Sequence, residues 1–383
     1  MSGQAPPSLF RSFWMAGYES SCHINRFGRR VDMIAATGHD AQALQDYALL
    51  RRFGIKSARD AVRWHLIDSG GHYDFSSFIP MLNAARQQDI EVIWDLCHYG
   101  WPDDVDVFSA AFVDRFARFS KAVARLIADS SDSPPFFTPI NELSFLPWAI
   151  GRGIIYPFVT GRDGELKRQF VRASIAAVDA VRSVDPRSRI VFGDPLVHVV
   201  TPRSRPELRQ NAIVYREAQF EAWDMIYGRQ HADLGGDPKY LDIVGANYYF
   251  SNQWEHCGER LRWEDSPRDP RMVPFSTLLE ELYNRYSRPL FVAETSHWGI
   301  DRGRWLREVA LEVQVARCAG VPVEGICLYP ILNRPDWEDY NHWHECGLWE
   351  INPHDRSLTR VLNEPYAQEL TMLQATLPAL KNC

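Results

Sequence analysis

The sequence predicts an α/β fold, a single-domain (β/α)8 TIM barrel that spans residues 1–383. Eight short apolar runs, rich in β-branched or aromatic residues, recur along the chain, and longer segments with helical periodicity lie between them. Such regular alternation of strand and helix is typical of one closed parallel barrel. A doubly wound nucleotide-binding sheet would need a glycine-rich turn after an early strand, and the sequence has none. No internal repeat, low-complexity tract or linker divides the chain.

Several of the apolar runs are nearly continuous, as expected for strands that are covered on both faces. The predicted strands are Phe13–Glu19, Ser57–Trp64, Glu91–Cys97, Phe136–Asn141, Arg189–Asp194, Leu241–Tyr249, Pro289–Glu294 and Val323–Tyr329. The predicted helices include Ala41–Phe53, Phe112–Ala128, Lys167–Val184, Leu208–Tyr227 and Arg304–Ala319. Gly54 after the first helix, and Pro186 shortly after the third, are typical signals of helix ends.

Three connections are long, at about 142–164, 250–274 and 330–356. They follow strands four, six and eight, so all three should lie on the C-terminal rim, where barrel enzymes carry their active sites. Six tryptophans fall in these loops, namely Trp148, Trp254, Trp263, Trp337, Trp343 and Trp349. Aromatic residues make up 13% of the chain. They could pack a large core or stack on sugar rings, and their place in the rim loops favours ligand contact.

The composition argues against several classes of partner. A formal net charge of −7 provides no basic surface for nucleic acid or anionic lipid. The opening MSGQAPPSLFRS lacks the apolar segment of a secretory signal, and no run of 18 apolar residues indicates a membrane span. Seven scattered cysteines make a disulfide framework improbable. We therefore expect a reduced cytoplasmic protein; the sequence does not indicate its oligomeric state.

Two predicted strands end in a carboxylate. Strand four reads FFTPINE and ends at Asn141-Glu142, and strand seven reads PLFVAE and ends at Glu294. Either acid alone could form an ordinary salt bridge on the rim. Strands four and seven lie across the barrel mouth from each other, however, so the pair can point at one spot. Glycoside hydrolysis needs two such carboxyls, one kept protonated and the other ionised.

Around these residues the chain resembles clan A of the glycoside hydrolases and, within it, family 1, the β-glucosidase family. Asn141-Glu142 resembles the family's Asn-Glu-Pro, with Leu143 in place of proline. The stretch LDIVGANYYFS is similar to its strand-six signature. PLFVAETS resembles its nucleophile strand, with Thr295-Ser296 where the family usually has Asn-Gly. One such motif stands at most strand ends, so the likeness extends over nearly the whole chain.

The resemblance implies a retaining β-glycosidase that needs no cofactor or metal. Glu142 would be the acid/base and Glu294 the nucleophile. Arg59 would keep Glu294 ionised, Tyr249 would donate a hydrogen bond to it, and Asn141 would bind the sugar 2-hydroxyl. The alternatives are that Arg59 pairs with Asp60 or with another acid on the rim, and that Tyr249 packs inside the barrel.

A second set of residues would bind the carbohydrate or glycoside substrate. HYGWP resembles the family's His-Trp-Asp-Leu-Pro, and NRPDW its Asp-Asn-Phe-Glu-Trp. The set consists of His23, His98, Trp101, Asn247, Asp336 and Trp337. His23 stands roughly where the family has a glutamine, although Glu19 or Cys22 could be the inward group instead. Asp336 is one methylene shorter than the family's glutamate, so the chemistry is predicted more firmly than the sugar.

Three other functions fit the sequence less well. A transglycosidase would use the same site with an alcohol as acceptor. A metal-dependent barrel hydrolase could draw ligands from His342, His344 and Cys346, although their spacing is not a usual zinc pattern. A catalytically silent sugar-binding barrel is disfavoured, because the acid/base, the nucleophile, Arg59 and Tyr249 are all present.

Overall fold

The computed structural model describes residues 8–377, and its strands form one closed parallel barrel, as the sequence predicts. The eight strands are β1 (Trp14–Gly17), β2 (Ser57–Ala61), β3 (Glu91–Cys97), β4 (Phe136–Ile140), β5 (Arg189–Pro195), β6 (Ile243–Asn247), β7 (Leu290–Thr295) and β8 (Val323–Leu328). Each strand pairs with its sequence neighbours, and β8 closes the barrel on β1. The first seven residues of the segment considered as a possible secretory signal lie outside the described range.

Helices between the strands pack on the outside of the barrel. The principal ones are α1 (His39–Leu50), α2 (Ile79–Gln87), α3 (Ala110–Ala128), α4 (Asp163–Arg182), α5 (Glu221–Tyr227), α6 (Phe275–Tyr286), α7 (Arg302–Cys318) and α8 (Glu364–Thr376). The predicted helix Leu208–Tyr227 is interrupted, because a 3-10 turn at Ala218–Phe220 separates Arg209–Glu217 from α5. In that turn, Gln219 bonds to the backbone of Val197 and Arg216 instead of projecting from a continuous helix.

The barrel interior is closed at its N-terminal end by apolar side chains. Met15, Ile93 and other inward residues of the strands form a small inner core. The ring of Phe10 packs 5.4 Å from Phe136 and 5.0 Å from Phe291, measured between centroids. A larger apolar cluster fills the space between strands and helices. These apolar side chains fill the N-terminal end of the barrel. The charged side chains that point inward lie at the opposite, C-terminal end.

Neighbouring residues of β2 point to opposite faces of the barrel wall, as side chains of a strand must. Arg59 turns into the barrel, where it reaches Asp95 and Glu294. Asp60 turns outward and bonds to His39 and Tyr47 of α1. The alternative in which Arg59 pairs with Asp60 is therefore wrong.

The tryptophans of the rim loops have different surroundings. Trp263 and Trp349 are almost fully buried in the apolar core. Trp148, Trp254 and Trp337 line a cavity at the barrel mouth. Core packing therefore accounts for Trp263 and Trp349, and contact with a ligand stays a prediction for the three tryptophans that line the cavity.

Two further expectations bear on the protein's environment. Five cysteines are free, namely Cys22, Cys97, Cys257, Cys327 and Cys346. Cys318, however, is disulfide-bonded, so the expectation of a fully reduced protein is not met. Within residues 8–377, no helix combines the length and the apolar character that crossing a membrane requires.

Candidate active site

A cavity of about 970 Å³ opens at the C-terminal mouth of the barrel. Glu142 and Glu294 both line it, as do Tyr249, His98 and Trp337. Glu142, which follows β4, and Glu294, near the C-terminal end of β7, therefore face one space. Its position agrees with the general placement of active sites in this fold.

Both carboxylate oxygens of Glu294 are held by hydrogen bonds. Arg59 Nη1 donates to Oε1 at 2.9 Å, and the Tyr249 hydroxyl donates to Oε2 at 2.7 Å. The same Arg59 nitrogen also donates to the carbonyl oxygen of Ala293, at 3.1 Å. A cation on one oxygen and a hydroxyl donor on the other fix the orientation of this carboxylate.

Arg59 is fully buried and connects several residues behind the cavity. Its Nη2 donates to Asp95 Oδ2 at 2.7 Å and to Asn141 Oδ1 at 3.0 Å. Burial alone would lower the pKa of Arg59, but the charges of Asp95 and Glu294 raise it well above its usual range. The guanidinium is therefore a fixed positive charge beside Glu294, and it also sets the orientation of the Asn141 amide.

Glu142 lies in a different environment. Asn247 Nδ2 donates to its Oε1 at 2.7 Å, and the Tyr99 hydroxyl donates to its Oε2. These bonds act to lower the pKa of Glu142, but burial and the charge of Glu294 raise it well above its usual range. A carboxyl whose pKa is raised and a carboxyl bonded to an arginine therefore face one cavity, and acid-assisted chemistry needs such unequal surroundings.

Tyr99 is a site residue that the sequence reasoning missed. Its hydroxyl accepts from Asn141 Nδ2 at 3.1 Å and donates to Glu142, so it connects the two residues at the end of β4. The neighbouring His98 lies 3.2 Å from the same Asn141 nitrogen, and its other ring nitrogen lies 2.9 Å from Asp95. The motif HYGWP contains this tyrosine, but the family resemblance implied roles only for His98 and Trp101.

Two predicted substrate-binding residues lie away from the cavity. Trp101 packs against Phe112 and Phe170, with ring centroids 5.8 and 6.0 Å apart. The Asp336 carboxylate accepts the backbone N–H of Glu338 and pairs with His344 Nε2 at 3.0 Å. Neither residue is among those that line the cavity, and their predicted sugar contacts stay predictions.

His23 does not line the cavity either, and Glu19 does. His23 is almost fully buried, and its ring lies 4.7 Å from that of Trp337. Burial lowers the pKa of His23 to about 3, so the imidazole is neutral. The Glu19 carboxylate accepts from Ser21 and lies 3.3 Å from the Arg334 guanidinium, and all three of these residues line the cavity. The alternative in which Glu19 is the inward group therefore fits the geometry.

Asn247 and Asn141 lie behind the cavity lining and act on the residues that form it. Both are fully buried. Asn247 reaches Glu142, and Asn141 reaches His98, Tyr99 and Arg59. Their amides therefore orient the side chains that they contact.

The residues considered as metal ligands are engaged in other contacts. His344 bonds to Asp336, and the Cys346 thiol donates to the carbonyl oxygen of His344 at 3.4 Å. The rings of His342 and His344 pack 5.0 Å apart. Between residues 8 and 377, no group of three or more His, Cys, Asp or Glu side chains is arranged to hold a metal ion.

The fold was compared with known proteins. No family model and no curated protein sequence matches this chain. Among solved structures, the family 1 β-glucosidase of Thermotoga maritima in complex with isofagomine lactam aligns with a TM-score of 0.74 at 13% identity, covering 97% of this chain and 98% of that one. The β-glycosidase of the hyperthermophile Thermosphaera aggregans gives 0.73 at 14% identity, with 97% of each chain covered.

The AHE enzyme of Alicyclobacillus herbarius is also similar, with a TM-score of 0.72 at 17% identity over 88% of this chain and 87% of that one. At such low identities the similarity establishes the fold and leaves activity to be argued from the site. The distant resemblance to family 1 that the sequence motifs indicated is thereby confirmed for the fold: this chain has the same barrel architecture as the family 1 β-glucosidases.

Proposed function

We propose that this protein is a retaining β-glycosidase, which hydrolyses O-glycosidic bonds by double displacement. The observation that carries the proposal is the unequal environment of two carboxyls on one cavity. Glu294 is hydrogen-bonded by Arg59 and Tyr249, whereas burial and the charge of Glu294 raise the pKa of Glu142. The substrate would be a carbohydrate or another glycoside, and no step requires a cofactor.

In the first step, a Glu294 oxygen attacks the anomeric carbon while Glu142 gives its proton to the leaving oxygen. The bond from the anomeric carbon to the aglycone oxygen breaks as the glycosyl–enzyme ester forms. The aglycone departs as a neutral alcohol, and Glu142 is left ionised. The Arg59 charge lies beside the nucleophile throughout this step.

In the second step, Glu142 acts as a base. It removes a proton from water, and the water oxygen attacks the anomeric carbon and displaces Glu294. Two inversions give net retention of configuration. Glu142 regains its proton and Glu294 its charge, so the site returns to its starting state.

A pair of substitutions tests the two assigned roles. Glu294→Gln removes the nucleophile, so we expect kcat to fall by several orders of magnitude on every aryl glycoside. Glu142→Ala removes the acid, so the loss should be smallest for substrates whose leaving groups need no protonation. The measurement is kcat/KM across a series of aryl β-glycosides of increasing leaving-group acidity.

The exposed Glu259→Gln serves as the matched control and should behave as wild type. Near-normal turnover by Glu294→Gln would refute its role as nucleophile. A Glu142→Ala loss of equal size for all leaving groups would refute the acid role of that residue.

A further inference from the structure

Asp194, near the C-terminal end of β5, is a buried carboxylate that takes no part in the proposed reaction steps. Its two oxygens accept the backbone N–H of Ser144, at 3.0 and 3.1 Å. The backbone N–H of Phe145 also bonds to it. The Asp194 side chain is not among those that line the cavity. It therefore acts on the segment of chain that comes directly after Glu142.

These bonds hold the turn from which Glu142 projects. The backbone N–H of Glu142 donates to the carbonyl oxygen of Gly193 at 3.1 Å, so two consecutive residues of β5 bind residues 142–145. Glu142 has a φ of 52°, in the left-handed region that a residue other than glycine seldom adopts. Such a conformation persists only where the surrounding structure enforces it. The contacts from β5 thus fix the backbone that carries the Glu142 side chain.

Asp194 is not neutralised by a bonded cation. Within residues 8–377, no cationic side chain forms a hydrogen bond with it, and the nearby Lys167 of α4 bonds to Glu221 at 2.7 Å. Burial raises the pKa of Asp194 to about 7, although backbone hydrogen bonds and the charge of Lys167 act to lower it. In contrast, Arg59 donates directly to Asp95 at 2.7 Å. A buried carboxylate without such a partner is costly, and groups of this kind cluster at functional sites.

The groups that act on Glu142 come from four neighbouring parts of the barrel. Asn247 of β6 and Tyr99, which follows β3, donate hydrogen bonds to it. Burial, the charge of Glu294 on β7 and the charge of Asp194 on β5 all raise the pKa of Glu142. Removal of the Asp194 charge should therefore lower that pKa.

We propose that Asp194 is a positioning residue for Glu142, because its carboxylate holds the turn that carries Glu142 and places a further negative charge behind that side chain. Asp194 acts through Glu142 and does not contact the substrate. The inference rests on the proposed function, in which Glu142 is the acid and base.

Asp194→Asn tests the effect of the charge. The amide keeps an oxygen that can accept the Ser144 N–H, but it carries no charge. Difference infrared titration follows the protonated carboxyl of Glu142, whose band is identified by its loss in Glu142→Gln. We expect this band to disappear at a pH lower by roughly 0.5–1 unit than in wild type, less than a charge in direct contact would cause.

Asp194→Ala tests the hold on the turn. It removes both the charge and the acceptor, and its small side chain cannot clash, so it also serves if Asp194→Asn does not fold. The infrared band should again disappear at a lower pH. Turnover should fall by at least about tenfold for aryl glycosides with poor leaving groups, because these need the acid most. Glycosides with the most acidic leaving groups should be affected much less.

Asp129→Asn is the matched control, since this exposed carboxylate follows α3 on the protein surface. Neither its Glu142 band nor its activity should differ from wild type. A Glu142 band that titrates as in wild type in both Asp194 variants would overturn the proposal. An activity loss of equal size for all leaving groups in Asp194→Ala would overturn it as well.

The infrared measurement needs no substrate, so this inference and the proposed function can fail separately. If the band moves but no glycoside is cleaved, Asp194 acts on Glu142 and the glycosidase function is wrong. If glycosides are cleaved and the band does not move, the function stands and the role of Asp194 is wrong.

Discussion

Two buried charge networks lie on opposite faces of β2, and neighbouring residues anchor them. Arg59 turns inward and bonds to Asp95 and Glu294, and the network it forms borders the cavity. Asp60 turns outward and accepts from His39 and Tyr47, in a network sealed between the strand and α1. Both networks place ionisable groups where water hardly reaches them.

The two networks differ in whether a substrate can reach them. Glu294 lines the cavity, where a substrate can replace solvent, whereas His39 and Asp46 are fully enclosed. The outer network also reaches Arg360, which pairs with Asp46 at 2.8 Å and so ties the C-terminal part of the chain to α1. Buried charge alone therefore does not mark a catalytic site. The inner network should affect both turnover and stability, and the outer one stability alone.

The largest effect is expected when Arg59 is replaced by methionine. The change removes the charge beside Glu294 and leaves the buried carboxylates of Glu294 and Asp95 without their arginine partner. Activity should fall by at least about 100-fold, as when a preorganised electrostatic contact is lost. The free energy of unfolding should fall by about 3–5 kcal/mol, because a buried partner is left without compensation. Both are measured on the same purified variant, by kcat/KM and by urea unfolding.

Arg162→Met is the matched control. Arg162 forms an exposed pair with Glu165 on the protein surface, so neither activity nor stability should change measurably. Wild-type activity in Arg59→Met would mean that the inner network does not serve the nucleophile.

The outer network predicts a pH-dependent stability. Burial acts to lower the pKa of His39, but Asp60 and Asp46 raise it from 6.5 to about 9. Since the folded pKa lies above the unfolded one, this stabilisation is complete below pH ~6.5 and is lost as pH rises through about 9. The loss should be on the order of 3 kcal/mol, measured as unfolding free energy against pH.

His39→Gln cannot titrate, so its stability should change less over that pH interval. Tyr18, which stacks on the His39 ring, and Arg360 remain in place in the variant. A wild-type profile parallel to that of His39→Gln would show that His39 carries no charge in the folded protein.

The smallest effect concerns Tyr99. Its hydrogen bond acts to lower the pKa of Glu142, as does that of Asn247, while burial, Glu294 and Asp194 raise it. Tyr99→Phe should therefore raise the pKa of Glu142 further and move the alkaline limb of the kcat/KM profile to higher pH. Tyr283→Phe, on α6 outside the barrel, should leave the profile in place. An alkaline limb that does not move, or moves to lower pH, would contradict the role given to Tyr99.

The strands and the meeting of Glu142 and Glu294 at one cavity were predictable from the sequence, because strand periodicity fixes which side chains meet. Apolar runs located all eight strands to within a few residues. A carboxylate directly after a strand must lie at the mouth, so Glu142 and Glu294 could be paired before any coordinates. The direction of Arg59 follows from the alternation of inward and outward side chains along β2.

Residues beyond the strand ends could not be placed in this way. His23 and Asp336 lie in loops, where no repeating geometry relates sequence spacing to direction. Hydrogen bonds within the loop engage Asp336, and Arg334 holds Glu19 at the cavity in place of His23. Trp101 follows β3, but its ring packs in the core against Phe112 of α3. Loop residues thus depend on tertiary contacts that the sequence does not encode locally.

The central claim is that Glu294 forms a covalent bond to the sugar while Glu142 faces it. An activated 2-deoxy-2-fluoro glycoside should form this ester and release it slowly, so mass spectrometry can detect it. We predict a mass increase of one fluoroglycosyl group per chain, located by peptide mapping on Glu294 and absent in Glu294→Gln. A label on another residue, or none on protein that cleaves the matching unfluorinated substrate, would contradict the account.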